Sequence, residues 1–295
     1  MTEQNPLQAA LAKATEMQLE SDGSIKQNLA EIVKLLQQAV SSASEDAAAE
    51  KTVAEETAAA VEEIQRTYSQ FISVMVHELR KPMTSIRGYS DMLTKNVVGE
   101  LNEMQMQFAM TIRNNVISME RLIADISDLV KMRVGRIRAE PKMDMAKNIL
   151  LEVEKNTREL AAEKSHELIF EIPDGLPLLN LDSTRVKQAL TKLVENAIKY
   201  TENGGRIVVT ATAVEGGIEI RVKDNGVGLT PEEVERLGEL WFRGDDPVVT
   251  NQKGYGLGIP IVQECMRLVN GRLFYESEKG VGSTFGIFLP AMSME

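Results

Sequence analysis

Two stripes of apolar residues at heptad spacing, separated by a short turn, constrain this chain more than any other feature in it. The first passes through Val61, Ile64, Tyr68, Phe71 and Met75 and resumes at Leu79, Met83, Ile86 and Leu93. The second takes Phe108, Ile112, Asn115, Met119, Leu122, Ile126 and Leu129, until Arg133 ends it. Alternating steps of four and three keep such side chains on one side of a helix. The first helix is expected to run to about Thr94, with a turn over Lys95 to Leu101 around Gly99. Asn102 and Gln105 have the spacing of a capping box that starts the second helix. Two helices joined so closely predict an antiparallel hairpin. One hairpin buries only part of each stripe, so two copies closing a four-helix bundle complete it, and a homodimer is expected. Asn115 falls on the second seam, where a polar residue either fixes register or is simply tolerated.

His77 is one of two histidines and stands off the first seam, followed by Glu78 and, five positions on, Pro82. A neutral imidazole suits phosphoryl transfer near pH 7, because an unperturbed pKa of about 6.5 leaves a nitrogen lone pair free. The steps from Phe71 to Met75 to Leu79 to Met83 break the heptad alternation, and Pro82 removes the backbone hydrogen bond to the Glu78 carbonyl. The helix is therefore expected to bend or loosen at His77. Taken alone, His77 reads as a surface histidine on a coiled coil.

With 295 residues, 43% of them hydrophobic, the chain has room for two domains and a helical extension. A net charge of −11 argues against nucleic acid or an anionic membrane as a general partner. Cys265 is the single cysteine, so no intrachain disulfide forms, and its apolar helical surroundings predict a packed thiol. No apolar run approaches the roughly 18 residues of a membrane span, and no signal peptide opens the sequence. A cytoplasmic protein is expected, or the cytoplasmic part of one with an anchor elsewhere. Ile25, Leu29, Ile32, Leu36 and Val40 would line one side of an early helix, and the Ala- and Glu-rich stretch from Ser44 to Glu63 reads as helix leading into the heptads. The expected division is a helical connector over 1–65, the hairpin domain over 66–138 and a third domain over 139–295.

Gly135 and Pro141 mark a linker, after which the pattern changes. Helices are expected over 145–163, Asp182 to Tyr200 and Ile259 to Val269. Strands are expected at Leu168 to Ile172, Arg206 to Val214, Gly217 to Lys223, Arg272 to Glu276 and Thr284 to Leu289. This is an α+β pattern, a mostly antiparallel sheet covered by helices on one face. His166, just before a strand, is expected at the surface. Of 20 glycines, half lie between Asp224 and Ser283. Glycine at that density between regular elements brings backbone close to a ligand. Asp224-Asn225-Gly226-Val227-Gly228 ends a strand, and Gly254-Tyr255-Gly256-Leu257-Gly258 opens a helix whose free N–H groups suit phosphate. Asn196 and Lys199, three apart, share a helix face from which an amide oxygen and an ammonium could serve a metal ion and a phosphate.

Residues 71 to 93 resemble the phosphoacceptor box of sensor histidine kinases, in which His-Glu-Leu-Arg precedes a small polar residue and Pro. Residues 145 to 290 resemble the ATP-binding domain of the same kinases, a Bergerat-type α/β sandwich of the superfamily shared with gyrase, a heat-shock chaperone and a mismatch-repair ATPase. The resemblance implies ATP and Mg²⁺ as cofactors, with Asn196 as the Mg²⁺ ligand, Lys199 as a phosphate contact and Tyr200 beside the nucleotide. It implies that Asp224 reads the adenine amino group and that Gly226 and Gly228 let the base approach. Trp241-Phe242-Arg243 resembles the aromatic box of a mobile lid over Gly228 to Gly254, with Arg243 a phosphate contact. Gly254, Gly256, Leu257 and Gly258 resemble the second glycine box, and Gly282 to Phe285, including Thr284, the closing strand. By the same resemblance His77 attacks the γ-phosphate of Mg-ATP while Glu78 orients the ring, and the phosphoryl group passes to an aspartate on a response regulator. Reaching the donor site requires the linker to flex.

Three positions depart from the pattern. Lys81 stands where Thr or Asn is common, a residue associated with water activation, which predicts weak phosphatase activity. Lys192 replaces an asparagine one turn before Asn196. Pro260 follows the glycine box, where its missing N–H costs little. The readings that remain are a dimeric histidine kinase, an ATP-binding dimeric scaffold that docks a response regulator without phosphotransfer, and an ATP-driven clamp or serine kinase of the same superfamily. The third has no use for a phosphoacceptor histidine. Whether a separate receptor acts on residues 1 to 70 stays open.

Overall fold

The structure, a computed structural model, describes Lys34 and residues 47–291, with side chains for Thr67 and from Ser69 onward. The apolar set from Ile25 to Val40 and the side chains of Val61, Ile64 and Tyr68 lie outside this description. The chain divides between Phe71 and Ile72 into two units. Of the first, the described part is Lys34 and the helical stretch 47–71.

Helix α1 (Ala47–Thr94) contains Pro82 and continues through it. Helix α2 (Glu103–Arg133) starts at Asn102, whose side chain accepts from the Gln105 amide at 2.9 Å while its own amide donates to Gln105 Oε1 at 3.0 Å. Within the second unit the two helices close on Val76, Met83, Val116 and Ile123, with Ile72 packed alongside. Ser90 and Ala109 extend this line, so the contact repeats every seven residues on both helices. Arg87 reaches Glu120 at 2.8 Å and Arg113 reaches Asp91 at 2.6 Å across it. Among the described side chains of the predicted seam only Met83 joins this contact. Met75, Leu79, Ile86, Phe108, Ile112 and Met119 are exposed. Each helix thus has two neighbouring apolar lines, and the one that closes the hairpin includes the small Ser90 and Ala109, where the helices can approach.

The rest of the second unit is α+β. Strand β1 (Lys142–Met145) pairs antiparallel with β3 (Leu178–Leu181). Between them lie helix α3 (Ala146–Glu163) and strand β2 (Glu167–Glu171). Helix α4 (Ser183–Tyr200) follows, capped by Asp182, and leads to β4 (Arg206–Val214) and β5 (Gly217–Asp224). Short helices α5 (Pro231–Glu235) and α6 (Pro247–Asn251) lie in the long connection to α7 (Gly258–Leu268), β6 (Arg272–Glu278) and β7 (Gly282–Pro290). The main sheet has the order β2-β4-β5-β7-β6, with β2 and β4 parallel and the other pairs antiparallel. Four-residue strands and five-residue helices carry too short a pattern for β1, β3, α5 and α6 to be expected from periodicity.

Register stacks the buried side chains in layers: Val209 opposes Val222, Ala211 opposes Ile220, and Ile218 opposes Leu289. These residues face α3, α4 and α7 in one core with Leu190, Leu193, Ile198, Ile261 and Met266. The opposite face is solvated, with Arg221 over the Phe274 ring and Arg272 over Phe288. His166, expected at the surface, is instead 9% exposed, with Nε2 2.9 Å from the Glu202 carbonyl. It follows the tight turn at Ser165, whose φ of 55° swings the next residue under the end of α4. Cys265 is fully buried, its Sγ 3.6 Å from Gln188 Oε1, and burial pushes the thiol up to about 12.

Helix α2 belongs to both parts. Leu129 and Met132 enter the sheet-domain core, while Val116 and Ile123 face α1. Beyond it, Gly135 at φ 69° turns the chain and the Arg136 and Ile137 amides return to the Lys131 carbonyl.

Candidate active site

The candidate site residues fall into two separate groups. The first is on α1, where the side chain of His77 is 68% exposed and its Nδ1 lies 3.1 Å from Glu78 Oε1. That same oxygen accepts from Lys81 Nζ at 2.7 Å. The hydrogen bonds from Lys81 and then His77 lower the Glu78 carboxyl below its ordinary range. An ionised carboxylate only accepts, so the ring proton sits on Nδ1 and the Nε2 lone pair is left to solvent. Adjacent helical residues point about 100° apart, yet rotamers bring these two side chains together.

The second is a cavity of about 550 Å³ between α4, the glycine-rich segments and one side of α2. Asp224 occupies the end of the buried stripe Ile218-Ile220-Val222, which is why a carboxylate at a strand end is only 8% exposed. Its Oδ1 accepts from the Gly226 amide at 2.9 Å and the Ser283 amide at 3.2 Å, leaving Oδ2 for a ligand. Burial outweighs these bonds and raises the carboxyl to about 6. A Cβ on Gly226 would strike the Tyr200 carbonyl and come within 2.9 Å of Asp224 Oδ1, so a side chain there would close the approach.

Asn196, Lys199 and Tyr200 line the cavity from α4, and Gly228, Gly254, Gly256, Leu257 and Gly258 line its opposite side. Gly256 takes φ 67° against the backbone of Trp241 and Phe242. Helix α7 begins there with no side chain capping its N-terminus, leaving amide donors free for an anion. Gly258 lies against the Asn196 amide, and a Cβ there would approach within 3.1 Å. Burial lowers the Lys199 ammonium below its ordinary range and raises the Tyr200 phenol above its own. Lys164 donates to the carbonyls of Ile198 and Lys199, both at 2.9 Å, and so ties down the end of α4.

Gly226, Arg243 and Thr284 are not among the lining residues. Gly226 acts through its amide on Asp224. Thr284 alternates with Ser283 and Phe285, which do line the cavity, so its side chain is on the other face of β7. Arg243 donates to the carbonyls of Val249 and Gln252, the latter at 2.7 Å, and so holds the end of α6. Trp241 in the same connection is 56% exposed and takes φ 67°, unusual for a residue with a side chain. His77 and Glu78 are likewise outside the cavity.

Sequence reasoning missed the wall built by α2, from which Ser118, Arg121, Leu122 and Asp125 line the cavity. Below it a polar seam joins α2 to α4 and α7. Asp125 pairs with Lys192 at 2.8 Å, Asp128 accepts from Gln188 at 3.0 Å, Arg133 pairs with Glu264 at 3.3 Å and Arg267 donates to the Met132 carbonyl at 2.7 Å. Lys192, left by sequence between the phosphates and solvent, pairs with α2 and also lines the cavity. Asn115, read as a seam residue, is exposed and accepts from Lys253 Nζ at 3.4 Å. The only signal for this seam was the placement of Asp125 and Asp128 on one helical face, which the heptad pattern also permits.

Residues 67–135 match the family model of the His Kinase A phosphoacceptor domain, and residues 181–293 match that of the histidine kinase-, DNA gyrase B- and HSP90-like ATPases. The chain is 30% identical over 224 residues to the histidine protein kinase DivJ of Caulobacter vibrioides, covering 76% of this chain and 37% of that one. It is 32% identical over 239 residues to the sensor histidine kinase RcsC of Escherichia coli, covering 80% and 25% respectively. It thus spans well under half of those relatives. Among solved structures it resembles full-length ShkA in complex with AMPPNP, at a TM-score of 0.64 and 24% identity over 76% of this chain and 47% of that one. It also resembles the Acinetobacter baumannii histidine kinase AdeS, at a TM-score of 0.50 and 20% identity over 72% and 97%. With a phosphoacceptor hairpin followed in the same chain by this ATPase fold, the chain belongs to the sensor histidine kinases of two-component systems.

Proposed function

We propose that this chain is a protein-histidine kinase that phosphorylates His77 from ATP and passes the phosphoryl group to an aspartate of a response regulator. The observation that carries the reading is the solvent-facing Nε2 of His77, with Nδ1 fixed on Glu78, on a hairpin continuous with a cavity suited to a nucleotide. In the first step the Nε2 lone pair forms a bond to the γ-phosphorus as the bond from that phosphorus to its bridging oxygen breaks, and ADP leaves with the electron pair. Glu78 holds the Nδ1 proton and offsets the charge gained by the ring. In the second step a carboxylate oxygen of the regulator attacks the phosphorus and the N–P bond breaks, returning neutral imidazole.

Phosphoryl transfer asks chiefly for positioning and charge neutralisation. Asp224 with its flanking amides suits an adenine amino group, Tyr200 and Gly228 flank the base, and Lys199 with the uncapped start of α7 suits phosphates. Asn196, beside Gly258, is the residue to hold Mg²⁺, which would supply neutralisation of phosphate charge when bound. Arg243 supports the lid in this reading. Because His77 lies outside the cavity, transfer requires the sheet domain to leave its seam on α2, turning about the segment from Gly135 to Pro141. ATP as substrate places both domains in the cytoplasm.

The domain limits in this reading are 1–65, 66–138 and 139–295, and residues 1–65 receive the signal, whether from the chain's own longer form or from a separate sensor. The exposed line of Met75, Leu79, Ile86, Ile112 and Met119 is the face on which two copies form a four-helix bundle. Lys81 is engaged with Glu78 and offers no acceptor to water, so phosphatase activity is weak. Rapid dephosphorylation of a labelled regulator that is lost in Lys81→Ala would contradict this.

The decisive experiment incubates the chain with γ-labelled ATP and Mg²⁺ beside His77→Ala. Acid-labile, base-stable label in the first and none in the second is the expected result. Nucleotide binding without label in either would replace the kinase by a scaffold that docks a regulator.

A further inference from the structure

We infer that the nucleotide site is completed by Arg121 of the hairpin, which contacts the phosphates and ties nucleotide binding to the docked position of the two domains. The inference rests on the nucleotide reading above and adds a residue from outside the ATPase domain. Helix α2 presents Asp128, Asp125 and Arg121 along one side at steps of three and four. Asp128 and Asp125 meet Gln188, Arg185 and Lys192 on the stripe of α4 that continues to Asn196 and Lys199. Arg121 stands one turn farther along, lines the cavity and has no hydrogen bond or ion pair among the described residues.

A second cation of the same lining, Lys199, is within electrostatic reach of Arg121 and also has no ion pair among the described residues. Glu195, one turn before Lys199, is the strongest charged neighbour of that ammonium and with Asp125 favours its charged form, yet neither carboxylate reaches ion-pair distance of it. Two cations without an ion pair that line one half-enclosed site are donors an anionic ligand can use. The anion that fits both is a polyphosphate: Lys199 offers a point charge and Arg121 a planar fork able to bind two oxygens at once. Since Arg121 sits on the hairpin and Lys199 on the sheet domain, the phosphates would bridge them. Nucleotide then holds the docked arrangement together, and the release that brings the donor to His77 has to break this contact.

The test titrates the full chain with Mg-ATP, Mg-ADP and adenosine by calorimetry, beside Arg121→Ala and Arg121→Lys. Arg121 is exposed, and circular dichroism checks that each variant folds. Arg121→Ala is expected to weaken the nucleotides about tenfold, the change that losing one charge-assisted hydrogen bond makes, and to leave adenosine unchanged. Arg121→Lys is expected to recover part of the loss. Unchanged nucleotide affinity in Arg121→Ala overturns the inference, as does an equal loss for adenosine. Failure of the unaltered chain to bind any of the three ligands would instead overturn the nucleotide reading itself.

Discussion

The hairpin and the sheet domain solve the burial problem differently. In the sheet domain three helices and a five-stranded sheet enclose side chains such as Leu190, Ile207 and Ile261 with no exposure at all. The hairpin encloses little more than Val76, Met83, Val116 and Ile123, and leaves larger side chains such as Phe108 in water. A sheet covered by helices finishes its core within one chain, whereas a pair of helices does not. In the proposed dimer the part carrying His77 is therefore the part that association completes.

The sharpest test of this contrast is a cavity in the sheet domain. Leu190→Ala should cost about 2–5 kcal/mol of unfolding free energy by chemical denaturation, at any protein concentration. Ile112→Glu should instead leave a single chain's stability almost unaltered and raise the dimer dissociation constant by on the order of a hundredfold in sedimentation, since it places a charge in the shared face. A concentration-independent loss for Ile112→Glu would show that the exposed line is not an association surface.

A pH titration probes the one buried carboxylate of the cavity. Asp224 is raised from 3.8 to about 6 in the folded chain, so between those values the folded state binds the proton that the unfolded state has lost. Its contribution to stability therefore increases as pH falls from about 6 to 3.8 and is lost as pH rises through the folded value. Nucleotide affinity should run the opposite way, falling about tenfold per pH unit below that value in calorimetry if only the carboxylate accepts from the base. An Asp224→Asn variant should lose this pH dependence.

The smallest expected effect is at the seam that joins the two regions. Lys192→Asn removes a partly buried ion pair with Asp125 and should cost about 1 kcal/mol. Its wider consequence should appear as faster amide exchange in α2 near Asp125 and faster labelling of His77. Slower labelling would mean that Lys192 also acts on the nucleotide.

The same contrast explains what could be read in the sequence. The sheet domain was legible because alternation and glycine runs are local: β4, β5 and α4 fall within a residue of their expected limits. Asp224 and the glycines around it were found by resemblance, and the structure adds why that carboxylate is buried. The hairpin was legible as a hairpin, but not as to which apolar line closes it. Two lines run side by side on each helix, and helical period alone does not say whether a residue meets its own chain or another. The α2 wall of the cavity was hidden for a related reason. Arg121 and Asp125 are ordinary surface residues of a helix until the second domain is placed against it.

Cys265 turns the seam into something that can be timed. As the chain's only cysteine it needs no engineered label, and only the thiolate reacts, so a packed thiol with its proton held tightly is modified solely during excursions that uncover it. Its neighbour Gln188 is held by Asp128 of α2, so those excursions involve the contact between hairpin and sheet domain. The rate at which a thiol reagent consumes Cys265, with and without nucleotide, is then a clock for how often the two part company.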